Sequence, residues 1–327
     1  MSRKKYGIII GLVVIIIAGL FMMYHLFFSA PQLQEEKVVF IVNRNQTETQ
    51  TLDKLKSQGL IKNKVALKLV LFFKHKQIAV DGYNVSKNMS AWQIATKITS
   101  SPDMKWVVIP EGWRKEQIGE LLAKTFNWSD EDLDRWNTSI TKMKIDYIEG
   151  TYFPDTYLIP VSDSGLDMAN RMTRNFDEKF APYVTQFAQQ NIKWTTGLKL
   201  ASIIQREAGG KDDMPMIAGI LWNRLNSDMS LEIDATVQYA RGKTDTGWWA
   251  PITADDIKTI DSPYNTYKNK GLPPFPIDNP GLDAIEAVLH PSETDCLYYL
   301  HDSDRQIHCA KTLEEHQANI EQYLKSS

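Results

Sequence analysis

The sequence predicts a mixed α+β protein with a single N-terminal transmembrane helix, a small α+β module, and a mixed, largely helical module with short strands and a C-terminal hairpin. Residues 7–28 form an apolar stretch, and the segment after them alternates strand-like runs with helix-spaced leucines. Beyond residue 110 the apolar residues recur mainly at helical spacing. About 290 residues follow the apolar stretch, which exceeds one ordinary core and favours two modules.

The stretch at residues 7–28 is long and apolar enough to cross a bilayer. At about 1.5 Å per residue its helix extends about 33 Å, against a hydrocarbon core of about 30 Å. The basic residues 3–5 precede it, so the positive-inside rule keeps residues 1–6 in the cytoplasm and places the rest outside. A cleaved signal peptide is the alternative. Because the stretch lacks a small-x-small cleavage pair and Pro31 follows it, we expect an uncleaved anchor.

Residues 29–37 are predicted to form a polar tether, and residues 38–108 the small α+β module. Strand-like and helix-spaced segments alternate through this module and into the residues after it. The predicted strands are Val38–Val42, Ala79–Val85 with a glycine turn, and Trp106–Pro110, and the predicted helices lie around Leu52–Ile61, Ala91–Ile98 and Ile118–Leu122.

Residues 109–327 are predicted to form the larger module. Ser129, with Glu131 and Asp132 in the first turn, indicates a helix N-terminus. The predicted helices are one capped by Ser129, one over Ser164–Phe187, one from Thr195, one over Met214–Leu225, a short helix after Gly281 and a closing helix through Leu324. Leu231–Ala240 is predicted to form a strand, because its apolar residues alternate.

The chain's two cysteines, Cys296 and Cys309, lie in the predicted hairpin. A two-residue turn at Asp302 and Ser303 places them directly opposite each other at a non-hydrogen-bonded pair, where Cα atoms approach to about 4.5 Å. This separation suits a disulfide, and a location outside the cytoplasm permits oxidation. We therefore predict a structural disulfide. A longer turn would favour two reduced cysteines instead.

The charge balance and the missing motifs exclude several classes of function. With 37 basic and 40 acidic residues, the chain gives no reason to expect a nucleic-acid partner. It contains no G-x-S-x-G, H-E-x-x-H or phosphate-binding G-x-x-x-x-G-K motif, and its histidines do not form a metal-ligand pattern. We expect no metal, no cofactor and a substrate close to the membrane surface.

One acidic residue, Glu207, ends the predicted helix on its apolar face. At about 100° per residue it lies on the same stripe as Thr196, Leu200, Ile203 and Ile204. Apolar neighbours and the negative helix C-terminus both raise the pKa of such a carboxyl, which favours a general acid. The alternative is a structural glutamate paired with Lys211 or Arg206.

Four segments in order resemble the YceG-like (MltG) family of endolytic murein transglycosylases. They are EGTYFPDTY (149–157), LASIIQREA (200–208), NRL with LEIDATVQY (223–225 and 231–239), and SPYNTYKNKGLPP with NPGLDAI (262–274 and 279–285). The resemblance covers nearly the whole chain. Three positions depart from the family pattern, and we expect altered glycan subsites there: Ala235 replaces a Pro, Glu232 a Gln and Phe275 a Gly.

The resemblance implies a cell inner-membrane enzyme whose periplasmic catalytic domain, residues 109–327, follows a LysM-like module at residues 38–108. Such enzymes cleave the bond between N-acetylmuramic acid and N-acetylglucosamine within peptidoglycan glycan strands, leave 1,6-anhydro ends and terminate nascent strands. The family's catalytic glutamate falls on Glu207, and no cofactor is implied. The implied protein partners are penicillin-binding glycan synthases. Alternatives are a muramidase-type hydrolase with Asp234 or Asp155 as second carboxylate, and a non-catalytic glycan-binding scaffold.

Eight further residues are candidate substrate contacts. All of them except Glu149 have a structural alternative. It is a turn for the YNTY segment, a turn or cap for the acid after Pro154, a pair with Arg224 for the acid of the LEID segment, and domain packing for the tryptophans. The candidates are Glu149, Asp155, Asp234, Trp248, Trp249, Tyr264, Asn265 and Tyr267.

Overall fold

The structure, a computed structural model, describes residues 3–142 and 149–324, with backbone only for residues 3–5. The chain divides into two compact units. The first comprises Met1–Val107 with Tyr157–Ser162, and the second comprises Val108–Thr156 with Asp163–Ser327. The start of the predicted cytoplasmic segment and the basic side chains at 3–5 lie outside what the structure describes.

The first unit begins with an apolar helix, α1 (Arg3–Phe27). Its segment Tyr6–Phe27 has a mean hydropathy of 2.7, and none of its residues is buried. By length and composition it can cross a membrane, and a signal sequence shares these properties. Membrane topology therefore stays a prediction.

A four-stranded sheet in the order β1-β2-β3-β4 is the centre of the first unit. Its strands are β1 (Lys37–Val42), β2 (Asp81–Ser86), β3 (Met104–Val108) and β4 (Thr156–Pro160). β2 pairs antiparallel with both β1 and β3. Gly82 lies within β2 and not at the predicted turn, because a side chain there would collide with Met104 on β3. β4 was not predicted, and most of it belongs to the first unit although it lies within the range 109–327.

Three helices pack in the first unit, α2 (Glu48–Ser57), α3 (Lys64–Lys74) and α4 (Ala91–Ile98). The predicted helix over 52–61 ends early, because Gly59 adopts a φ of 67°. The sequence prediction missed α3. The shared core includes Phe40, Leu55, Leu67, Tyr83 and Ile94.

The second unit is mainly helical. The predicted N-cap Ser129 accepts a backbone hydrogen bond in the first turn of its helix, and Ser164, at the start of another predicted helix, does the same. The helices are α5 (Lys115–Phe126), α6 (Asp130–Arg135) continued by a π-helical turn (Trp136–Ile140), α7 (Gly165–Gln189), α8 (Trp194–Glu207), α9 (Met214–Asn226), α10 (Asp234–Arg241), α11 (Ala254–Thr259), α12 (Leu282–Leu289) and α13 (Leu313–Tyr323). α8 packs on α9 and α12 around Leu200, Ile203, Ile217, Ile285 and Val288.

The predicted strand over Leu231–Ala240 is wrong, since α10 occupies most of it. Only the start is extended, and there Ile233 donates its backbone N–H to the Thr266 hydroxyl (3.0 Å). The alternation of apolar residues is real, but both Ala235 and Thr236 are buried. Neighbours in sequence point to opposite faces of a strand, so a helix buried on several sides explains this burial better.

A two-stranded antiparallel sheet, β5 (Tyr298–His301) and β6 (Ile307–Ala310), forms the predicted hairpin. Its register differs from the prediction, because the loop runs from Asp302 to Gln306 and Cys309 lies opposite Tyr299. The Asp302 carboxylate stabilises this longer loop by accepting two backbone N–H groups. Cys296 precedes β5, and it still forms a disulfide with Cys309 at a Cα separation of 5.8 Å.

We predict that this disulfide contributes measurably to stability. Replacing Cys296 and Cys309 together by serine opens a loop with a sequence separation of 13. The free energy of unfolding should fall by about 3 kcal/mol, measured by denaturant titration in detergent micelles. Two free thiols in the denatured, unreduced wild type would contradict the prediction.

Candidate active site

Glu207 is the last residue of α8, where the helix meets a glycine turn. Ala208 leaves the helix with an extended backbone (φ −69°, ψ 136°). The carboxylate of Asp213 then accepts the backbone N–H groups of Gly209 (2.9 Å) and Gly210 (3.2 Å). This turn fixes the end of α8, and therefore the position of the Glu207 side chain.

The half-buried Glu207 carboxyl lies in the wall of an open cleft of about 480 Å³. Helices α8, α9, α10 and α13 and strand β5 contribute to the cleft, all within the second unit. The walls combine charged and aromatic side chains, a composition that suits a polar ligand with flat faces. The lining residues are Arg206, Glu207, Arg224, Glu232, Ile233, Asp234, Ala235, Gln238, Trp249, Tyr267, Tyr298, Tyr299 and His316.

Burial raises the pKa of the Glu207 carboxyl above its ordinary value, and the negative charge of Asp234 raises it further. A hydrogen bond from the Tyr299 hydroxyl to Oε2 (2.6 Å) opposes this shift, as do the charges of His301 and Arg206. In the described part of the chain Glu207 forms no ion pair with Lys211 or Arg206. The structural alternative for Glu207 is therefore not what the structure contains.

Strand β5 provides two polar contacts at this end of α8. The Tyr299 hydroxyl reaches Glu207, and the next residue on the same strand face, His301, bonds through Nε2 to Asp213 Oδ2 (2.6 Å). Burial raises the pKa of Tyr299 well above its ordinary value, so its hydroxyl remains a donor at neutral pH. The hairpin thus holds both the acid and the turn that follows it.

Asp234 lies across the cleft at the start of α10 and accepts a hydrogen bond from the Tyr267 hydroxyl (2.6 Å). It does not pair with Arg224, the structural alternative from the sequence. Arg224 instead donates to the backbone oxygen of Leu231 (2.6 Å) and to Glu232 (2.7 Å). Glu232 and Ala235, two departures from the family pattern, both line the cleft.

Trp249 lines the cleft beside Arg206. The Arg206 guanidinium lies 4.2 Å from the centre of the indole, and the indole N–H donates to Gln117 (3.0 Å). These contacts fix the ring plane, and a fixed ring can stack on the face of a sugar. Tyr298 offers a second aromatic surface, stacked against the ring of His316.

Four other predicted contact residues do not line this cleft. The Asn265 side chain is buried and donates to the backbone oxygens of Ile257 and Ile260, which is the predicted turn-forming alternative. Tyr264 packs on Tyr239, Trp248 donates to Glu120, and Asp155 accepts from Asn175.

Glu149, another predicted contact residue, has 0% exposed surface and binds only protein groups. It accepts the backbone N–H of Lys115 (3.0 Å), the amide of Asn279 (3.0 Å) and the hydroxyl of Tyr239 (3.1 Å). Burial raises the pKa of Glu149 to about 8, and nearby Glu116 adds to the effect. Glu149 therefore joins three distant segments of the second unit and does not reach the cleft.

Sequence reasoning missed Tyr299, the direct partner of Glu207. The predicted hairpin placed both Tyr298 and Tyr299 on a strand. No local pattern in the sequence indicates which of the two contacts an acid 92 positions away. Within residues 3–142 and 149–324 no cluster of histidine, cysteine or acidic side chains could hold a metal ion, and no cofactor was expected.

Comparison with known proteins assigns the family. Residues 40–322 match the model of the YceG-like family, and the chain belongs to it. An endolytic murein transglycosylase of Bacillus subtilis is 32% identical over 83% of this chain and 81% of its own length. One of Streptococcus pneumoniae is 28% identical over 83% of this chain, which spans only 56% of that relative.

A solved structure is also similar. The crystal structure of a YceG-like protein from Listeria monocytogenes superposes with a TM-score of 0.55 at 29% identity. The match covers 87% of this chain and 99% of the Listeria chain. The relationship therefore extends to the fold of most of the chain.

We predict that Glu149 supports the fold and not ligand binding. Glu149→Ala removes the acceptor of three buried hydrogen bonds, each worth about 1–3 kcal/mol, so the free energy of unfolding at pH 7 should fall by about 3 kcal/mol or more. Glu149→Gln is the matched control, because its amide imitates the neutral acid and the Tyr239 hydroxyl can turn to accept from it. A loss below about 1 kcal/mol in the alanine variant would refute this role.

The raised pKa of Glu149 also predicts a pH dependence of stability. Between the ordinary pKa of 4.5 and about 8, the folded state holds a proton that the unfolded chain releases. This contribution is complete below pH 4.5 and is lost as the pH rises through about 8. Wild type should therefore lose stability relative to Glu149→Gln over this range in denaturant titrations, and parallel curves would argue against a neutral Glu149.

Proposed function

We propose that this protein is an endolytic peptidoglycan lytic transglycosylase that cleaves between N-acetylmuramic acid and N-acetylglucosamine within glycan strands. One observation carries the proposal: Glu207, in the family's glutamate position, is a carboxyl of raised pKa in the wall of an open cleft. The curated relatives are named endolytic murein transglycosylases, which supports the same activity.

Glu207 acts first as an acid and then as a base. Its protonated carboxyl donates to the glycosidic oxygen as the C1–O4 bond breaks. The carboxylate then accepts the proton of the C6 hydroxyl, whose oxygen bonds to C1 and closes the 1,6-anhydro ring. Because the nucleophile belongs to the same sugar, attack gains the effective concentration of an intramolecular reaction. One carboxyl is therefore sufficient for the reaction. We infer that its cellular role is to terminate nascent glycan strands.

A muramidase-type hydrolase is the second candidate, and Asp234 is the observation in its favour. Its exposed carboxylate lines the same cleft as Glu207 and raises the pKa of Glu207 by its charge. A hydrolase uses such a second carboxylate to activate water or to form a covalent adduct. Asp155, the other acid considered, does not line the cleft.

The cellular setting follows from the same proposal. The helix α1 serves as an uncleaved anchor in the inner membrane, with the N-terminus in the cytoplasm and both modules in the periplasm. Residues 38–108 form a LysM-like module and residues 109–327 the catalytic domain. Penicillin-binding glycan synthases on the same membrane face are the inferred protein partners, because they produce the strands that this activity cuts.

The proposal predicts that Glu207→Gln loses most of its cleavage activity. Loss of a general acid removes about 10²- to 10⁴-fold of the rate, since the amide has no proton to give. Full-length protein in micelles should convert purified glycan strands to fragments with 1,6-anhydro ends, identified by mass spectrometry. Glu178→Gln, on an exposed face of α7, is the matched control. Reducing ends from the wild type would point to the hydrolase, and a folded, fully active Glu207→Gln would remove Glu207 as the acid.

The raised pKa of Glu207 predicts the pH dependence of the rate. Only the protonated carboxyl can start the reaction, so kcat/KM should fall as the pH rises through this pKa. The midpoint of the fall should lie above the ordinary glutamate pKa of 4.5. A pH–rate series checks this, and a midpoint at the ordinary value would mean that burial does not tune the acid.

A further inference from the structure

The two oxygens of the Glu207 carboxyl have different surroundings. Oε2 accepts the Tyr299 hydroxyl at 2.6 Å. Within the described residues Oε1 accepts no hydrogen bond, and it is not fully buried. Tyr299 is therefore the single hydrogen-bond donor that the described chain provides to the acid.

We propose that Tyr299 is a positioning residue for Glu207: its hydroxyl occupies Oε2 and confines the transferable proton to Oε1, the oxygen accessible in the cleft. This inference rests on the proposed transglycosylase function and deepens it. Tyr299 itself moves no proton to substrate. It fixes which oxygen of the acid carries one.

The proton balance shows how one tyrosine serves both halves of the reaction. Oε1 gives its proton to the glycosidic oxygen, and the Tyr299 hydrogen bond then becomes a bond to a full carboxylate. Hydrogen bonds to an ionised acceptor are about twice as strong as those between neutral groups, so this contact strengthens as the transition state forms. When Oε1 recovers a proton from the C6 hydroxyl, the starting arrangement returns.

The surrounding elements make this bond rigid. Tyr299 lies on β5 directly opposite Cys309, whose disulfide to Cys296 ties the hairpin together. Two residues along β5, His301 is bonded to Asp213 (2.6 Å). The hydroxyl is therefore held by a strand that is fixed on both sides of it.

Other charges face this pair from each packed element, and none replaces the hydrogen bond in the described residues. They shift the pKa of Glu207 or Tyr299 through space, so each is present equally in wild type and variant. They are Arg206 on α8, Arg224 on α9, Asp234 on α10 and His301 on β5.

The test compares Tyr299→Phe with Tyr183→Phe in the full-length protein, with purified glycan strands as substrate. Tyr183 donates a similar bond to Glu286 (2.7 Å) and does not line the cleft, so it is a matched control. Tyr299→Phe should lower kcat by about 10- to 100-fold with KM unchanged, the worth of a hydrogen bond to a charged group. The fall of kcat/KM with pH should move to higher pH, because the carboxylate has lost its donor. Tyr183→Phe should change neither.

A second measurement keeps the tyrosine and the fold. Incorporating 3-fluorotyrosine at position 299 makes the hydroxyl a stronger donor, so the fall of kcat/KM should move to lower pH. Wild-type kcat in Tyr299→Phe, an unmoved pH limb, or the same change in Tyr183→Phe would overturn the inference. If the wild type releases no 1,6-anhydro ends, the proposed function has failed, and the positioning role falls with it.

Discussion

The hydrogen-bond donors that surround a carboxyl group decide whether it supports the fold or stays available to a ligand. Two acids of the second unit, one buried and one half-buried, show the difference. Glu149 binds three protein donors and has no exposed surface. Glu207 binds one donor on Oε2 and keeps Oε1 accessible. When both oxygens of a carboxyl accept hydrogen bonds from the protein, the carboxyl joins segments of the fold. When only one oxygen does, the other can bind a ligand.

The C-terminal hairpin completes the environment of Glu207 although it is far away in sequence. Its short strands carry Tyr299 and His301 to the end of α8 and the turn that follows. An isolated two-stranded hairpin is only marginally stable, so it depends on packing and on cross-links. Here the disulfide and the contact with α9 supply both. The position of the Glu207 carboxyl thus depends on a hairpin that would be only marginally stable by itself.

The cleft also accommodates departures from the family pattern. Glu232, in place of the usual Gln, provides a carboxylate for the nearly buried guanidinium of Arg224 (2.7 Å). Ala235, in place of the usual Pro, lies in the first turn of α10, a position where either residue is tolerated. Both residues line the cleft, so they alter its surface while the backbone that carries Asp234 keeps a helical start.

The sequence by itself determined the features that depend on local periodicity. These are the apolar N-terminal helix, the serine-capped helices, most strands of the first unit, and Glu207 at the end of an apolar stripe. Only the tertiary structure decided β4, the helical state of α10, the hairpin register and Tyr299 as the partner of Glu207. Each of these features depends on contacts between residues far apart in sequence or on the length of a loop. Such contacts and loop lengths leave no periodic pattern in the sequence.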